Sequence, residues 1–273
     1  MKRWMFFTYG LLGHGVFLGV FLYLAAFVGN LGVPQSIDSP PTSSFGTAIA
    51  IDLLLLGLFA VQHSVMARPA FKRVWTRVIP QPIERSTYVW ASCAVTILLM
   101  WQWRPVDSIV WDVQLPALRW GLWCVFVAGW LLVPFVTLLI SHFDLFGTRQ
   151  VWLHLRGQEY APPAFRIPLF YRHVRHPLYL GWTLAFWATP TMTLGHLVFA
   201  ATLTFYMAAA AVLEERDLVA HFGRQYADYQ RRVPMFVPQL RPLLPSSSDG
   251  DEACVRPQQP ALTGSPSYRK SQR

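Results

Sequence analysis

Apolar stretches of roughly membrane-crossing length recur along this chain, and they constrain its fold more than any other feature. A spanning helix needs about 20 predominantly apolar residues. The stretches lie at roughly 5–28, 46–66, 87–103, 119–140, 178–191 and 195–213. With 53% hydrophobic and 14% charged residues, the chain is predicted to be an all-α polytopic membrane helical bundle of five or six transmembrane segments. The sequence leaves open whether 87–103 and the 178–213 hairpin fully span.

The basic residues orient the predicted bundle. Of 23 Lys and Arg residues, only Arg104 and Arg119 fall on one side of the alternating spans. The other 21 fall at the N-terminus, in loops 67–86 and 141–177, or after residue 213. Because loops rich in Lys and Arg stay in the cytoplasm, both termini are predicted to be cytoplasmic. The formal charge of +9 then needs no nucleic-acid partner.

The last third of the chain contains one more regular segment and a tail. Apolar and aromatic residues recur there at helical spacing, at Leu218, Phe222, Tyr226, Tyr229 and Val233. This spacing predicts an amphipathic helix at the membrane surface. We therefore divide the chain into one membrane domain over 1–240, with N-terminal spans in 1–141 and a second half in 142–240. The Ser/Pro/Gln-rich residues 241–273 are predicted to form a disordered cytoplasmic tail.

A basic turn and two adjacent carboxylates flank the last apolar hairpin. Arg175-His176-Pro177 precedes it, and Glu214-Glu215 follows it, so the hairpin brings them to one end. Free amides at a helix that starts with Pro favour an anion, and Arg175 can pair with a carboxylate in a forked geometry. Adjacent carboxylates at a helix C-terminus are locally unfavourable, which indicates a cationic or hydroxyl-rich partner. The alternative is a basic loop followed by a solvated helix end.

This C-terminal pattern resembles the isoprenylcysteine carboxyl methyltransferase superfamily, integral membrane enzymes that use S-adenosylmethionine. The resemblance covers roughly residues 165–238 and includes the His-Pro-x-Tyr-x-Gly turn and the double carboxylate. It implies a cytoplasmic cofactor pocket for S-adenosyl-L-methionine. The residues that it implies for cofactor binding are Arg175, His176, Pro177, Tyr179, Gly181, Glu214 and Glu215.

The N-terminal half is similar to bacterial methanethiol S-methyltransferases. The stretches that carry this similarity are Gly32–Asp38, Phe59–Arg68, Glu84–Val89, Trp101–Arg104 and His142–Gln150. The resemblance implies methylation of a small volatile thiol, methanethiol, to dimethyl sulfide in the bacterial inner membrane, without a metal. Three alternatives remain open: methylation of a lipid-like substrate (a prenylcysteine carboxylate or a phospholipid amine), a nicotinamide-dependent membrane reductase, and a non-catalytic membrane factor of denitrification.

A thiol acceptor must lose its proton, and histidine is the usual base near neutral pH. The candidate catalytic residues are His63, at the end of the second apolar stretch, and His142 with Asp144, which would orient the imidazole. We favour His142 because of Asp144, although local turn chemistry is the alternative. Asp52 lies inside an apolar stretch, where a helix-packing role competes with a functional one. His173 and His176 lack a third metal ligand at a recognisable spacing.

Overall fold

The computed structural model describes residues 1–243, so the predicted tail lies outside the described residues from position 244 onward. The α-helices are α1 (Lys2–Val28), α2 (Phe45–Ala67), α3 (Pro69–Trp75), α4 (Glu84–Gln102), α5 (Pro116–Ile140), α6 (His142–Leu145), α7 (Thr148–Arg156), α8 (Pro177–Trp187), α9 (Leu194–Phe222) and α10 (Arg224–Arg232). Short 3-10 helices lie at Gln81–Ile83 and Leu169–Arg172, and two strands at β1 (Ile109–Asp112) and β2 (Thr191–Thr193). The predicted all-α class is confirmed.

Within residues 1–243, four helices are long and apolar enough to cross a membrane, namely α1, α2, α5 and α9. This finding confirms a multi-pass membrane protein. The predicted segment at 87–103 corresponds to α4, which has 19 residues and packs between α1 and α2. The predicted segment at 178–191 corresponds to α8, which has 11 residues and is therefore only about 16 Å long. That length is about half of the hydrocarbon core of a bilayer.

Glycine lets the short helix α8 pack closely against α5. A Cβ atom added to Gly129 would lie 2.6 Å from the amide nitrogen of Ala185 and 2.9 Å from the carbonyl oxygen of Gly181. A Cβ on Gly181 would lie 3.2 Å from Val133 Cγ2. Small residues of this kind allow helix backbones to approach in membranes, where no hydrophobic force between helices holds them together. Gly181 is thus a packing position between α5 and α8.

After α8 ends, the chain enters a two-stranded antiparallel ribbon formed by β1 and β2. β1 and β2 pair antiparallel, with Ile109 opposite Thr193, and the Val113 amide donates to the Pro190 carbonyl at 2.9 Å. The Trp111 indole donates to the Thr189 carbonyl at 3.1 Å. Non-helical backbone near a bilayer needs such internal partners. We call the end of the bundle that holds β1, β2 and residues 29–44 the ribbon end.

Buried polar contacts tie the loops of the ribbon end together. The buried indole of Trp103 donates to the Ile37 carbonyl at 3.1 Å. Thr193 Oγ1 donates to Asp38 Oδ1 at 2.5 Å. Asp52 is fully buried, and its Oδ1 accepts the amide of Arg104, directly after α4, at 2.9 Å. This contact is the helix-packing role considered for Asp52.

The opposite end holds α3, α6, α7 and the segment before α8, and we call it the basic end. α7 packs against α1, and Arg68 at the end of α2 forms an ion pair of 2.8 Å with Asp217 of α9. The amphipathic helix predicted after residue 213 is divided in the structure. α9 continues to Phe222 and stops at Gly223, whose φ of +60° favours glycine. α10 then buries Tyr226 and Tyr229, with Val233, against Phe165 and Ile167.

Candidate active site

Arg175 is held by the chain itself in a forked ion pair. Its Nε donates to Glu215 Oε1 at 2.5 Å, and its Nη2 donates to Glu215 Oε2 at 3.1 Å. Its Nη1 donates to the carbonyl oxygens of Gln230 and Val233 at 2.8 Å and 2.5 Å. Both charged side chains are nearly buried, with 11% of Arg175 and 7% of Glu215 exposed. The sequence predicts a ligand carboxylate at the Arg175 fork, but in the structure Glu215 occupies it.

Glu215 also forms hydrogen bonds with two neighbouring side chains, Gln230 and His176. Gln230 Nε2 donates to its Oε2 at 2.8 Å, and His176 Nε2 lies 3.1 Å from its Oε1. The backbone closes the same junction, because the amides of Arg175 and His176 donate to the carbonyls of Pro234 and Met235. The turn before α8, the end of α9 and the segment after α10 thus form one unit.

The neighbouring carboxylate, Glu214, is in a different environment. Its side chain is 49% exposed, and its Oε2 accepts a hydrogen bond of 3.0 Å from the Tyr179 hydroxyl. The Tyr179 ring stacks on His176 with 5.2 Å between ring centroids and an interplanar angle of 4°. Pro177 is the first residue of α8, as predicted. The two adjacent glutamates therefore divide their roles: Glu215 is buried and paired, and Glu214 is accessible beside two stacked rings.

A cavity of about 160 Å³ lies directly beside Tyr179, between α1, α2, α4, α8 and α9. Its lining is mostly apolar, with polar groups from His63, Thr96, Tyr179 and Tyr206. The apolar lining residues are Leu24, Phe59, Leu99, Trp182, Phe186, Phe199, Leu203 and Met207. One side chain, Tyr179, thus belongs both to the cavity wall and to the contact with Glu214.

His63 lies on the wall of this cavity. Its Nε2 is 2.8 Å from the Tyr88 hydroxyl, and its Nδ1 is 3.4 Å from Ser92 Oγ. Its ring stacks on Phe59. Tyr88 and Tyr206 were not singled out from the sequence. The available signal was a tyrosine inside an apolar helix, because a buried hydroxyl needs a partner.

The structure does not bring His142 and Asp144 together, and neither residue lines the cavity. Asp144 accepts hydrogen bonds from Ser141 and, at 2.9 Å, from Arg149. His142 Nδ1 lies 2.8 Å from Thr137 Oγ1, and its Nε2 lies 3.1 Å from the Nε2 of His14. Burial, and then the neighbouring His14 ring, lower the pKa of His142. The orienting role expected of Asp144 has no contact to support it.

The two histidines considered as a metal pair have other partners. His173 Nδ1 donates to the Gln239 carbonyl at 2.8 Å, and His176 is bound to Glu215. In the part of the chain that the structure describes, no group of three or more His, Cys, Asp or Glu residues is arranged to hold a metal ion.

Comparison with known proteins shows the family. No family model matches the chain, and no solved structure matches it. The methanethiol S-methyltransferase of Mycobacterium tuberculosis is 50% identical over 238 residues, which cover 87% of this chain and 98% of that protein. Methanethiol S-methyltransferase 2 of Bradyrhizobium diazoefficiens is 52% identical over 85% of this chain and 89% of its own length. Mouse nurim is more distant, at 32% identity over 63% of this chain and 68% of nurim. The chain therefore belongs to the methanethiol S-methyltransferase family.

Proposed function

We propose that this chain transfers the methyl group of S-adenosylmethionine to the sulfur of methanethiol, giving dimethyl sulfide. The names of the relatives, which match over most of the chain, support this reaction. The observation that carries the proposal is that Tyr179 both lines the cavity and donates a hydrogen bond to Glu214. A donor bound at Glu214 and an acceptor bound in the cavity meet at this one side chain. Such alignment is the main requirement for a transfer in which the donor is already activated.

The groups around Glu214 fit the proposed cofactor. An accessible carboxylate beside two stacked aromatic rings suits a ligand with a positive charge, hydroxyl groups and an aromatic base. When bound, S-adenosylmethionine would supply an electrophilic methyl group. The cavity alone, at about 160 Å³, is smaller than the roughly 300–1,000 Å³ of typical cofactor-sized pockets. We therefore place the cofactor at the turn and the acceptor in the cavity.

The seven residues proposed for the cofactor site have three kinds of task. Glu214 presents an accessible carboxylate, and the Tyr179 ring beside it stacks on the buried His176 ring. Arg175 and Glu215 hold the turn against the segment after α10. The remaining two, Pro177 and Gly181, start α8 and set its distance from α5.

We propose His63 as the general base, because it lies on the cavity wall and His142 does not. If Nε2–H donates to the Tyr88 oxygen, the Nδ1 lone pair is available for the thiol proton. The contact of Nδ1 with Ser92 is the longer of the two, at 3.4 Å. The apolar lining keeps water away from the thiolate, which strengthens its attack. His142, with Asp144, remains the second candidate.

We further propose that the basic end faces the cytoplasm and that the chain lies in the bacterial inner membrane. Arg68, Lys72 and Arg73 lie at this end together with the proposed cofactor turn, which agrees with the positive-inside rule. A charged cofactor then reaches Glu214 from water without crossing the bilayer. A small apolar thiol enters the site from the bilayer or from water.

The direct test is headspace gas chromatography of dimethyl sulfide, with purified full-length chain, methanethiol and S-adenosylmethionine. We expect turnover by the unmodified chain. His63→Ala should lower it by about 10²–10⁴-fold, with cofactor affinity within twofold of the original. Without the base, the rate should follow the thiolate fraction and continue to rise with pH beyond the original optimum.

Two further variants make this test specific. His63→Gln keeps a polar group near Tyr88 but offers no base, and it should lose activity as His63→Ala does. His142→Ala tests the second candidate and should keep the original rate and pH profile, because His142 does not line the cavity. Absence of dimethyl sulfide with the unmodified chain would refute the function. Full activity and an unchanged pH profile in both His63 variants would refute the base.

A further inference from the structure

The cavity beside Tyr179 is larger than methanethiol needs. Its volume is about 160 Å³, and an apolar cavity of about 150 Å³ in another protein binds benzene, which has six heavy atoms. Methanethiol has two heavy atoms. Building on the proposed function, we infer that the acceptors form a class of small, uncharged alkyl thiols. After space for the transferred methyl group is subtracted, the upper limit is about five heavy atoms, the size of 1-butanethiol.

The order of residues along the helices gives this cavity a polar end and an apolar end. α8 runs from the basic end to the ribbon end, so Tyr179 precedes Phe186 along the cavity. α9 runs in the opposite direction, so Phe199 lies nearer the ribbon end than Tyr206. The sulfur of an acceptor therefore belongs beside His63 and Tyr179. Its alkyl chain extends toward the ribbon end.

Rigid aromatic packing closes the apolar end of the cavity. Phe199 is 1% exposed. Its ring meets Phe186 edge-on at 5.0 Å and Trp103 edge-on at 5.7 Å between centroids. Because such interiors are close-packed and yield little, an alkyl chain that reaches Phe199 has no further room. This contact sets the length limit of the acceptor.

The lining excludes charged thiols. Among the described residues, the cavity wall contains no Asp, Glu, Lys or Arg. The Thr96 hydroxyl is already used, because it donates to the Ser92 carbonyl at 2.8 Å. An ammonium or carboxylate group on the acceptor would lose its hydration without gaining a partner of opposite charge, which is strongly unfavourable. Cysteine therefore falls outside the acceptor class.

The test is a series of straight-chain thiols from methanethiol to 1-hexanethiol, with saturating S-adenosylmethionine and thioether product measured by gas chromatography. These thiols ionise alike, so size is the variable. We expect kcat/KM, calculated with the concentration of free thiol in water, to rise about fourfold for each added CH2. This factor corresponds to about 0.8 kcal/mol gained when one CH2 group is buried. The rise should end near 1-butanethiol, with at least a tenfold fall by 1-hexanethiol. Cysteine should give no product.

Substitution of Leu203 tests whether this cavity sets the length limit of the acceptor. Leu203 lines the wall and is 7% exposed, and Leu203→Ala removes three carbon atoms. We expect kcat/KM for 1-hexanethiol, relative to methanethiol, to rise at least tenfold. Leu203→Val should shift the ratio in the same direction by less, at a smaller cost in stability. Leu58→Ala is the matched control, because Leu58 lies on α2 away from the cavity and is 43% exposed.

The possible outcomes separate this inference from the proposed function. If the unmodified chain methylates no thiol, the function itself fails. If it methylates methanethiol and its rate falls from ethanethiol onward, the wider acceptor class is wrong and the function stands. An unchanged length limit in both Leu203 variants, with original melting temperature and cofactor affinity, would place the acceptor outside this cavity.

Discussion

Glu215→Gln should destabilise the protein, because it removes the charge that compensates a nearly buried guanidinium. Glu215 takes two hydrogen bonds from Arg175 and one each from Gln230 and His176. Breaking a buried pair from one side costs about 3–5 kcal/mol. Glutamine keeps the shape and one acceptor, so we expect about 3 kcal/mol. At about 2–4 °C for each kcal/mol, the melting temperature should fall by about 6–12 °C, as followed by intrinsic tryptophan fluorescence.

Glu214→Gln is the matched control, with the same chemical change one residue earlier. Glu214 is half-exposed and has one hydrogen bond, from Tyr179, so the stability change should stay below about 1 kcal/mol. Calorimetry should instead show at least tenfold weaker binding of S-adenosylmethionine, about 1.4 kcal/mol. Equal melting temperatures for the two variants, or unchanged cofactor affinity in Glu214→Gln, would refute the division of roles between the glutamates.

Two further changes test the packing. Gly129→Ala should destabilise the fold by about 1–3 kcal/mol or more in thermal unfolding, because its Cβ would lie 2.6 Å from the Ala185 amide nitrogen. Gly57→Ala is the control and should not destabilise the fold, because no atom lies within 4 Å of the added Cβ. Asp52→Leu leaves the Arg104 amide without its acceptor and should cost about 1–3 kcal/mol. Asp52→Asn keeps an acceptor and should retain both stability and turnover, and a large loss of turnover in that variant would assign Asp52 a functional role.

The sequence predicted the long helices well, because one local property decides them. Continuous apolar runs of sufficient length gave α1, α2 and α5 close to their bounds in the structure, and they gave the start of α9, which continues to Phe222 beyond the predicted end at 213. The pairing of β1 with β2 was not predicted. It joins residues about 80 positions apart, as Ile109 and Thr193 show, and no local pattern reports such a contact. The predicted segment 178–191 runs past the end of α8 at Trp187, although Pro190 is a local signal against helix there.

The candidate site was predicted in position but not in detail. The turn before α8 and the double glutamate do meet at one end of the bundle. Which glutamate is buried depends on Gln230 and Val233, which approach only when α10 folds back. His142 was favoured for its sequence neighbour Asp144, but that carboxylate binds Arg149. Our proposal of His63 over His142 thus rests on long-range contacts such as His63 with Tyr88, which the sequence does not report.

The contacts of Arg175 have a consequence for biosynthesis. Its partners Glu215 and Val233 lie 40 and 58 residues further along the chain. At a synthesis rate of about 5–20 residues per second, the arginine is made about 2–8 s before its carboxylate and about 3–12 s before the last carbonyl. During that interval the growing chain carries an unpaired guanidinium just before α8, a helix that is too short to span the bilayer. Released chains truncated before residue 215 should therefore leave Arg175 unpaired and be more sensitive to proteolysis, and protection should return when α10 and the segment after it are included.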